Sequence, residues 1–112
     1  MIILTTLVNR LDKRITILRL PSPEDQDDSG QVIEGWISVG TFWAAIEPLR
    51  GNDRFAAQSV NPEVTTRIRI RYRDGIDRTM IARHKGREFE IMYTINPTFG
   101  NKELQLMSKE RQ

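Results

Sequence analysis

Thr66-Arg67-Ile68-Arg69-Ile70-Arg71-Tyr72-Arg73 is the stretch of this 112-residue sequence that decides its fold class. Apolar side chains alternate here with arginines, and a period of two places the two kinds on opposite faces of an extended strand. One face carries Ile68, Ile70 and Tyr72, whereas the other carries four guanidinium groups. Such a strand is half-buried, which predicts a sheet with one face on a core.

Further strand patterns lie on both sides of this stretch. We predict strands at 14–20, 32–46, 65–72, 78–83, 87–95 and 103–107. A break at Gly35 or Gly40 would divide the second strand, and its apolar end at 42–46 is expected to be buried on both faces. Lys85-Gly86 is expected to form a tight hairpin turn. Because strands do not alternate with helices, the sequence predicts a mainly β fold, a small antiparallel barrel or sandwich of five to six strands.

One short helix and long polar loops complete the predicted fold. Asn52 or Asp53 is a suitable N-cap for a helix that Asn61-Pro62 ends, within a crossover connection at 49–63. The polar, acidic stretch 21–31 is expected to be a mobile loop. Helical spacing of apolar residues predicts a short helix over 2–11. With no internal repeat or linker, residues 1–112 are expected to form a single domain.

Composition limits the chemistry that the chain can perform. The sequence has no cysteine and one histidine, which excludes thiolate catalysis, disulfides and cysteine metal sites. The histidine, His84, stands at the predicted turn without a nucleophile motif, which favours a structural role over a catalytic one. No apolar run approaches the length of a membrane span. We therefore expect a soluble, non-enzymatic protein without a cofactor or metal, made in a reducing cytoplasm.

Charge is divided along the chain, although its net value is only +2. Residues 20–63 carry eight acidic and two basic side chains, whereas residues 67–87 carry eight basic and two acidic ones. Copies with oppositely charged regions can associate head to tail, which builds rings; alternatively, the two regions neutralise each other within one fold. The candidate interface residues in the loops are Glu24, Asp25, Asp27, Asp28, Arg50, Asp53 and Arg54. The acidic group 24–28 lacks the spacing of a calcium-binding loop, which favours a solvated loop over a metal site.

Four arginines at every second position form an arginine stripe: Arg67, Arg69, Arg71 and Arg73. Such a stripe can track a phosphate backbone, because each guanidinium offers several donors and keeps its charge. It can also be the wet face of a half-buried strand, paired with carboxylates of neighbouring strands, for which Glu88 and Glu90 are available. Tyr72 lies on the apolar side, so the arginine face lacks a ring on which bases would stack. Non-specific contact with duplex DNA is the nucleic-acid function that remains.

Four segments point to a known family when they are taken together. They are LDKRITI at 11–17, WAAIEPLRG at 43–51, TRIRIRYRDGI at 66–76 and REFEI at 87–91. In this order the chain resembles the head-tail joining family of tailed bacteriophages, also called the head-closure or head-tail adaptor family. The resemblance implies a small β-barrel protein that forms a ring below the portal after DNA packaging, closes the filled head and presents a surface to the tail.

Partners and location follow from the same resemblance. It implies a homo-oligomer in the neck of a phage or prophage virion, assembled in the host cytoplasm with the portal or adaptor ring and tail-completion proteins. The arginine stripe and the loop residues would then contact packaged double-stranded DNA, the channel or neighbouring subunits. The alternative is a small β-barrel module that binds nucleic acid without sequence specificity.

Overall fold

The computed structural model describes residues 10–22, 24–25 and 35–111, and within them the chain forms a closed six-stranded barrel with one α-helix. The strands are β1 (Lys13–Arg19), β2 (Ile37–Pro48), β3 (Thr66–Arg71), β4 (Ile81–His84), β5 (Arg87–Ile95) and β6 (Glu103–Glu110); the helix, α1, is Gly51–Val60, and Pro97–Phe99 forms one 3-10 turn. All neighbouring strands are antiparallel, in the order β1-β2-β3-β6-β5-β4, and β4 closes onto β1. The mainly β prediction is confirmed, in its barrel form.

Alternation along the strands places the apolar side chains inside the barrel. On β3, Ile68 lies opposite Leu106 and Ile70 lies opposite Leu104, while the arginines between them face outward. The core consists of Ile15, Ile17, Ala44, Ile68, Ile70, Ile76, Met80, Ala82, Phe89, Ile91, Leu104 and Leu106. Burial of this set supplies the main driving force for folding, so outward-facing side chains can change without removing the core.

The hairpin between β4 and β5 has the geometry that the sequence predicts. Lys85 and Gly86 both have positive φ angles, 49° and 81°. A two-residue hairpin of type I′ requires positive φ at both positions, and its twist matches that of the flanking strands. The register pairs His84 with Arg87 across this turn.

Strand β4 begins three residues later than predicted. The carboxylate of Asp77 accepts a hydrogen bond from the backbone N–H of Thr79 at 2.9 Å, and the N–H of Met80 donates to the Asp77 carbonyl at 3.2 Å. These local bonds hold residues 77–80 in a turn, because aspartate side chains offer the backbone an alternative to a sheet ladder.

Strand β2 differs from the prediction at two places. It continues through Gly40, where a Cβ atom would lie 2.9 Å from Cζ of Phe42, so glycine allows the ring to pack against the backbone. The expectation that residues 42–46 are buried on both faces is wrong at Trp43, which is 54% exposed. Thr41 and Glu47, which share the parity of Trp43, are polar and lie with it on the outer face of the barrel, whereas Ala45 on the same face is buried as expected.

Helix α1 ends where predicted but begins differently. Its N-cap is Arg50, whose side chain makes no capping bond, and Gly51 enters the helix with a φ of 55°; neither Asn52 nor Asp53 caps it. The helix covers the outer face of β5 and β6 through a small second cluster of Leu49, Ala57, Val64 and Met107. The hydroxyl of Tyr93 also donates to the Ala57 carbonyl at 3.3 Å.

Two predicted segments, the helix at 2–11 and the loop at 21–31, lie mostly outside the described residues, and the last strand lies within them. Most of the predicted helix at 2–11 lies outside the described residues, and Arg10 and Leu11 precede β1 without helical structure. The predicted loop at 21–31 is described only at 21–22 and 24–25. The last strand is longer than expected and runs to Glu110, because polar residues after Met107 still pair with the start of β5.

Candidate interaction surface

Three members of the arginine stripe, Arg67, Arg69 and Arg71, lie on the outer face of the barrel, where β3 runs between β2 and β6, whereas Arg73 follows the end of β3. Arg69 is only 5% exposed and is held from both sides. Its Nη2 donates to Oε2 of Glu47 at 2.9 Å and its Nε to Oε1 at 3.1 Å, while Nη1 donates to Oε1 of Glu103 at 3.0 Å. A buried guanidinium with two carboxylates on neighbouring strands is a structural element of the barrel wall.

Arg67 shares the same carboxylate. Its Nε donates to Oε1 of Glu47 at 3.0 Å, and its Nη2 lies 3.8 Å from Asp53 of α1. Burial would raise the pKa of the Glu47 carboxyl, but hydrogen bonds from Arg69 and Arg67 outweigh it, so the pKa is lowered from its ordinary value. These pairs join the acidic and the basic regions of the sequence, so part of the charge division is neutralised within the fold.

The other end of the stripe has a different environment. Arg71 and Arg73 are exposed, and neither has a carboxylate partner among the residues that the structure describes. Arg71 pairs in register with Glu103, but Oε1 of Glu103 accepts from Arg69 and Oε2 from Gln105 at 2.9 Å. The Arg73 guanidinium instead lies 5.1 Å from the centre of the Phe42 ring. These two arginines remain available to an external anion.

An aromatic residue accompanies the unpaired arginines, which the sequence analysis did not identify. The Arg14 guanidinium of β1 lies over the exposed Trp43 ring, 4.6 Å from its centre. The β2–β3 register pairs Ala44 with Ile70, which places Arg71 beside Trp43 on its other side. The polar residues Thr41 and Glu47, which share the parity of Trp43, were the sequence signal for its outward position.

Glu88 and Glu90, which the sequence offered as partners for the stripe, serve other arginines. They lie on β5, which does not neighbour β3. Glu88 accepts from Arg83 at 2.7 Å and from Arg111 at 3.3 Å, and these two bonds lower the pKa of its carboxyl. Glu90 lies 3.9 Å from Arg111. The expected pairing of these carboxylates with the stripe is therefore wrong. Strands β4 and β5 follow β3 in the sequence, but in the barrel the neighbours of β3 are β2 and β6.

Of the four acidic candidate residues in the predicted loop, the structure describes Glu24 and Asp25. Asp25 binds Arg19 through two hydrogen bonds, at 2.7 and 2.8 Å, and accepts a third from the N–H of Ser22 at 2.6 Å. The Arg19 guanidinium, with the backbone N–H, holds the pKa of Asp25 well below its usual range. Glu24 is exposed and accepts from the Ser22 hydroxyl at 2.7 Å. Asp27 and Asp28 lie outside the described residues.

The candidate interface residues around α1 form an exposed surface that carries charges of both signs. Arg50, Asp53 and Arg54 are all exposed at the start of the helix, and Arg54 borders a groove that also contains Glu63 and Lys109. Beside them stands Phe55, with 79% of its surface in contact with solvent. An exposed aromatic ring among charges of both signs is typical of a protein contact rather than of a small-molecule site.

The only histidine of the sequence has a structural contact. Nδ1 of His84 lies 2.8 Å from the backbone carbonyl of Arg14 and so links the β4–β5 hairpin to β1. In the part of the chain that the structure describes, no group of three acidic or histidine side chains is placed to hold a metal ion. No helix among the described residues is long and apolar enough to cross a membrane.

A family model and two solved structures are similar to this chain. The family model described as phage head completion protein matches residues 7–111. A protein from Shigella flexneri 2a, solved in solution, is similar in structure, with a TM-score of 0.68 and 27% identity over 92% of this chain and 95% of that one. A chain in the virion of a native gene transfer agent particle has the same fold, with a TM-score of 0.55 and 16% identity over 91% of this chain and 96% of that one. A search of curated proteins finds no significant match.

Proposed function

The chain belongs to the phage head completion protein family, and on this premise we propose that it forms a ring below the portal of a phage or prophage virion, closes the DNA-filled head and offers the attachment surface for the tail. The observation that carries the proposal is the family match over 105 of 112 residues, from residue 7 to residue 111. The chain is a virion-associated structural protein. Its position in the neck, its ring form and its partners, the portal or adaptor ring and tail-completion proteins, are the proposed part.

A structural rather than a catalytic role agrees with the side chains that the barrel presents. Carboxyl groups with a lowered pKa are bound by partners of the same chain, as Asp25 is by Arg19 and Glu47 by Arg69. Structural ion pairs perturb pKa values as catalytic sites do, and here each carboxylate has a partner that accounts for its shift. We infer that the protein acts through its surfaces and not through a reaction.

Within the arginine stripe, we propose a division of labour. Arg67 and Arg69 stabilise the barrel, whereas Arg71 and Arg73 contact a neighbouring subunit or the packaged DNA. The exposed residues Arg50, Asp53 and Arg54, with the acidic group 24–28, are proposed to contribute to contacts between subunits. The alternative function, a module that binds nucleic acid without sequence specificity, has less support, because half of the stripe is neutralised by Glu47 and Glu103.

The isolated chain is expected to be a monomer or a weak oligomer. The barrel buries a core of its own, and surface ion pairs between copies are individually weak and screened by salt. Ring formation then depends on the portal or adaptor ring as a template. Light scattering at micromolar concentration is the check, and a stable ring without partners would contradict the expectation.

Deletion of the gene from its phage tests the function as a whole. Capsid assembly and DNA packaging should proceed, while the particles should be tailless and should lose their DNA. Electron microscopy and nuclease protection of the particles measure both effects, and supply of the wild-type chain from a plasmid is the control. Normal infectious tailed particles without the protein would overturn the proposed function.

A further inference from the structure

Three side chains on the outer face of the barrel form what we call the Trp43 patch: Arg14, Trp43 and Arg71. They come from the adjacent strands β1, β2 and β3, and all three are exposed. Neither arginine has a carboxylate partner among the described residues, whereas Arg67, Arg69, Arg83, Arg87 and Arg111 all have one. A half-exposed tryptophan between two unpaired arginines is the composition of an interface hot spot.

The surroundings of the patch select among possible anions. The positive charge of the patch is confined to Arg14 and Arg71, because Glu47 and Glu103 on the neighbouring strands already compensate Arg67 and Arg69. Two arginines also offer few contacts compared with the six to ten phosphate contacts that are typical of strong duplex binding. The Trp43 ring is covered on one side by Arg14 and has no unstacked base to meet in a duplex. The patch therefore fits a short polypeptide segment with two carboxylates.

The chain itself contains such a segment. Residues 20–35 include five acidic residues, of which Glu24 is the first, and no basic residue. Strands β1 and β3 lie on either side of β2, so Arg14 and Arg71 are separated by about 10 Å. Carboxylates four residues apart in sequence, as Glu24 and Asp28 are, would share one face of an extended chain at a separation of about 13 Å, which two long arginine side chains can reach. Charge and spacing are thus complementary.

The segment reaches the patch of another copy more easily than its own. Asp25 is bound to Arg19, which lies five residues from Arg14 on β1. Five residues of a strand span about 16 Å, so Glu24 is held at the far end of the strand from its own patch. Contact between two copies avoids this constraint and is heterologous, the type that closes into a ring.

We propose that the Trp43 patch of one copy binds the acidic segment that begins at Glu24 of a second copy. Arg14 and Arg71 pair with two carboxylates of the segment, and Trp43 between them excludes water and so strengthens both ion pairs. The proposal rests on the proposed ring, for which it names one subunit contact.

Direct binding tests the contact without a phage. The probe is a synthetic peptide of residues 20–35 with a fluorescent label, titrated with the full chain and followed by fluorescence anisotropy. Arg14→Gln/Arg71→Gln should weaken binding at least tenfold, and Trp43→Ala should weaken it as well.

Arg83→Gln/Arg87→Gln is the matched control, because it removes the same charge from arginines that already have partners. A peptide with Glu24→Gln, Asp27→Asn and Asp28→Asn should not bind. Equal losses in the control and the patch variant would overturn the proposal.

Cross-linking in particles tests the same contact in assembly. Because the sequence has no cysteine, Leu20→Cys and Thr41→Cys introduce the only two thiols, one beside the acidic segment and one beside Trp43. A bismaleimide should join neighbouring copies of this variant into a ladder, whereas Leu20→Cys with Ser59→Cys on α1 should give no ladder. If particles of the Leu20→Cys/Thr41→Cys variant are complete and infectious but give no ladder, the proposed contact is wrong, while the proposed function in head completion is unaffected. If the deletion phage gives normal particles, the proposed function itself is wrong.

A duplex DNA probe tests the alternative that the Trp43 patch binds DNA instead of the acidic segment. A labelled duplex of thirty base pairs should bind the wild-type chain and the Arg14→Gln/Arg71→Gln variant equally weakly. Tight duplex binding that this variant abolishes, and that the peptide cannot displace, would assign the patch to DNA and overturn the proposal.

Discussion

Arg69 and Arg71 lie two residues apart on one face of one strand, yet their surroundings are opposite. Arg69 is buried and bonded to Glu47 and Glu103, whereas Arg71 is exposed and has no carboxylate partner among the described residues. Both carboxylates come from neighbouring strands, at 22 and 34 residues' distance in sequence. Identical residues in a regular pattern thus have different partners, and the neighbouring strands decide which partners each one has.

The largest expected effect is a loss of stability when Arg69 is replaced. Arg69→Gln removes the guanidinium that Glu47 and Glu103 share across β3, so Glu103 loses its arginine and Glu47 keeps only Arg67. Removing one partner of a buried ion pair costs about 3 to 5 kcal/mol, and the partial exposure of both carboxylates reduces the expected loss to about 2 kcal/mol. Urea denaturation of the purified chain at pH 7 measures it. A loss within error of that for Arg71→Gln would remove the difference between the two positions.

Prediction from sequence succeeded where the signal was local. The alternation of Ile68 and Ile70 with arginines fixed the inward face of β3, and Lys85-Gly86 fixed the hairpin, because both patterns act over a few residues. Strand order is a property of the whole chain. The sequence offered Glu88 and Glu90 as partners for the stripe because they lie nearby along the chain, whereas the crossover topology places β6 and β2 beside β3.

Trp43 shows a second limit of the sequence. It lies within an apolar run, and apolarity at both parities favoured burial on both faces. In the barrel, only one face of β2 meets the core, so Trp43 is on the outside with the polar residues that share its parity. Of the four predicted arginines, Arg67 and Arg69 are paired within the barrel wall, and the candidate surface that we propose adds Trp43 and Arg14 to the unpaired end.

An intermediate effect is expected for the carboxylate that Arg67 and Arg69 share. Glu47→Gln keeps the shape of the side chain but removes its charge, and Arg69 retains Glu103. Hydrogen bonds between charged groups contribute about 1.5 to 3 kcal/mol, so a loss of about 1 kcal/mol is expected after allowance for the exposure of Glu47.

The effect of Glu47→Gln should depend on pH in one direction. The pKa of Glu47 is lowered in the folded protein, so its stabilisation is fully present above the ordinary glutamate pKa of about 4.3 and is lost as the pH falls through the lowered value. The difference in unfolding free energy between wild type and variant should therefore be constant from pH 7 to pH 5 and shrink towards pH 3. A difference that grows on acidification would contradict the assignment of the ion pair.

The smallest effect on stability, with the largest contrast in function, is expected for the unpaired end of the stripe. Arg71→Gln/Arg73→Gln leaves Ile68, Ile70 and every ion pair of the wall in place, so the unfolding free energy should change by no more than about 0.5 kcal/mol. Complementation of a deletion phage by this variant should nevertheless fail or give a much lower titre of infectious particles, because both guanidinium groups are lost from the proposed contact surface.

The control is Arg83→Gln/Arg87→Gln, which removes the same charge from arginines paired on other strands and should complement like wild type. Full complementation by the Arg71→Gln/Arg73→Gln variant would show that this end of the stripe is only the wet face of the sheet. A stability loss as large as that of Arg69→Gln would show that the two ends do not differ in the way the ion pairs indicate.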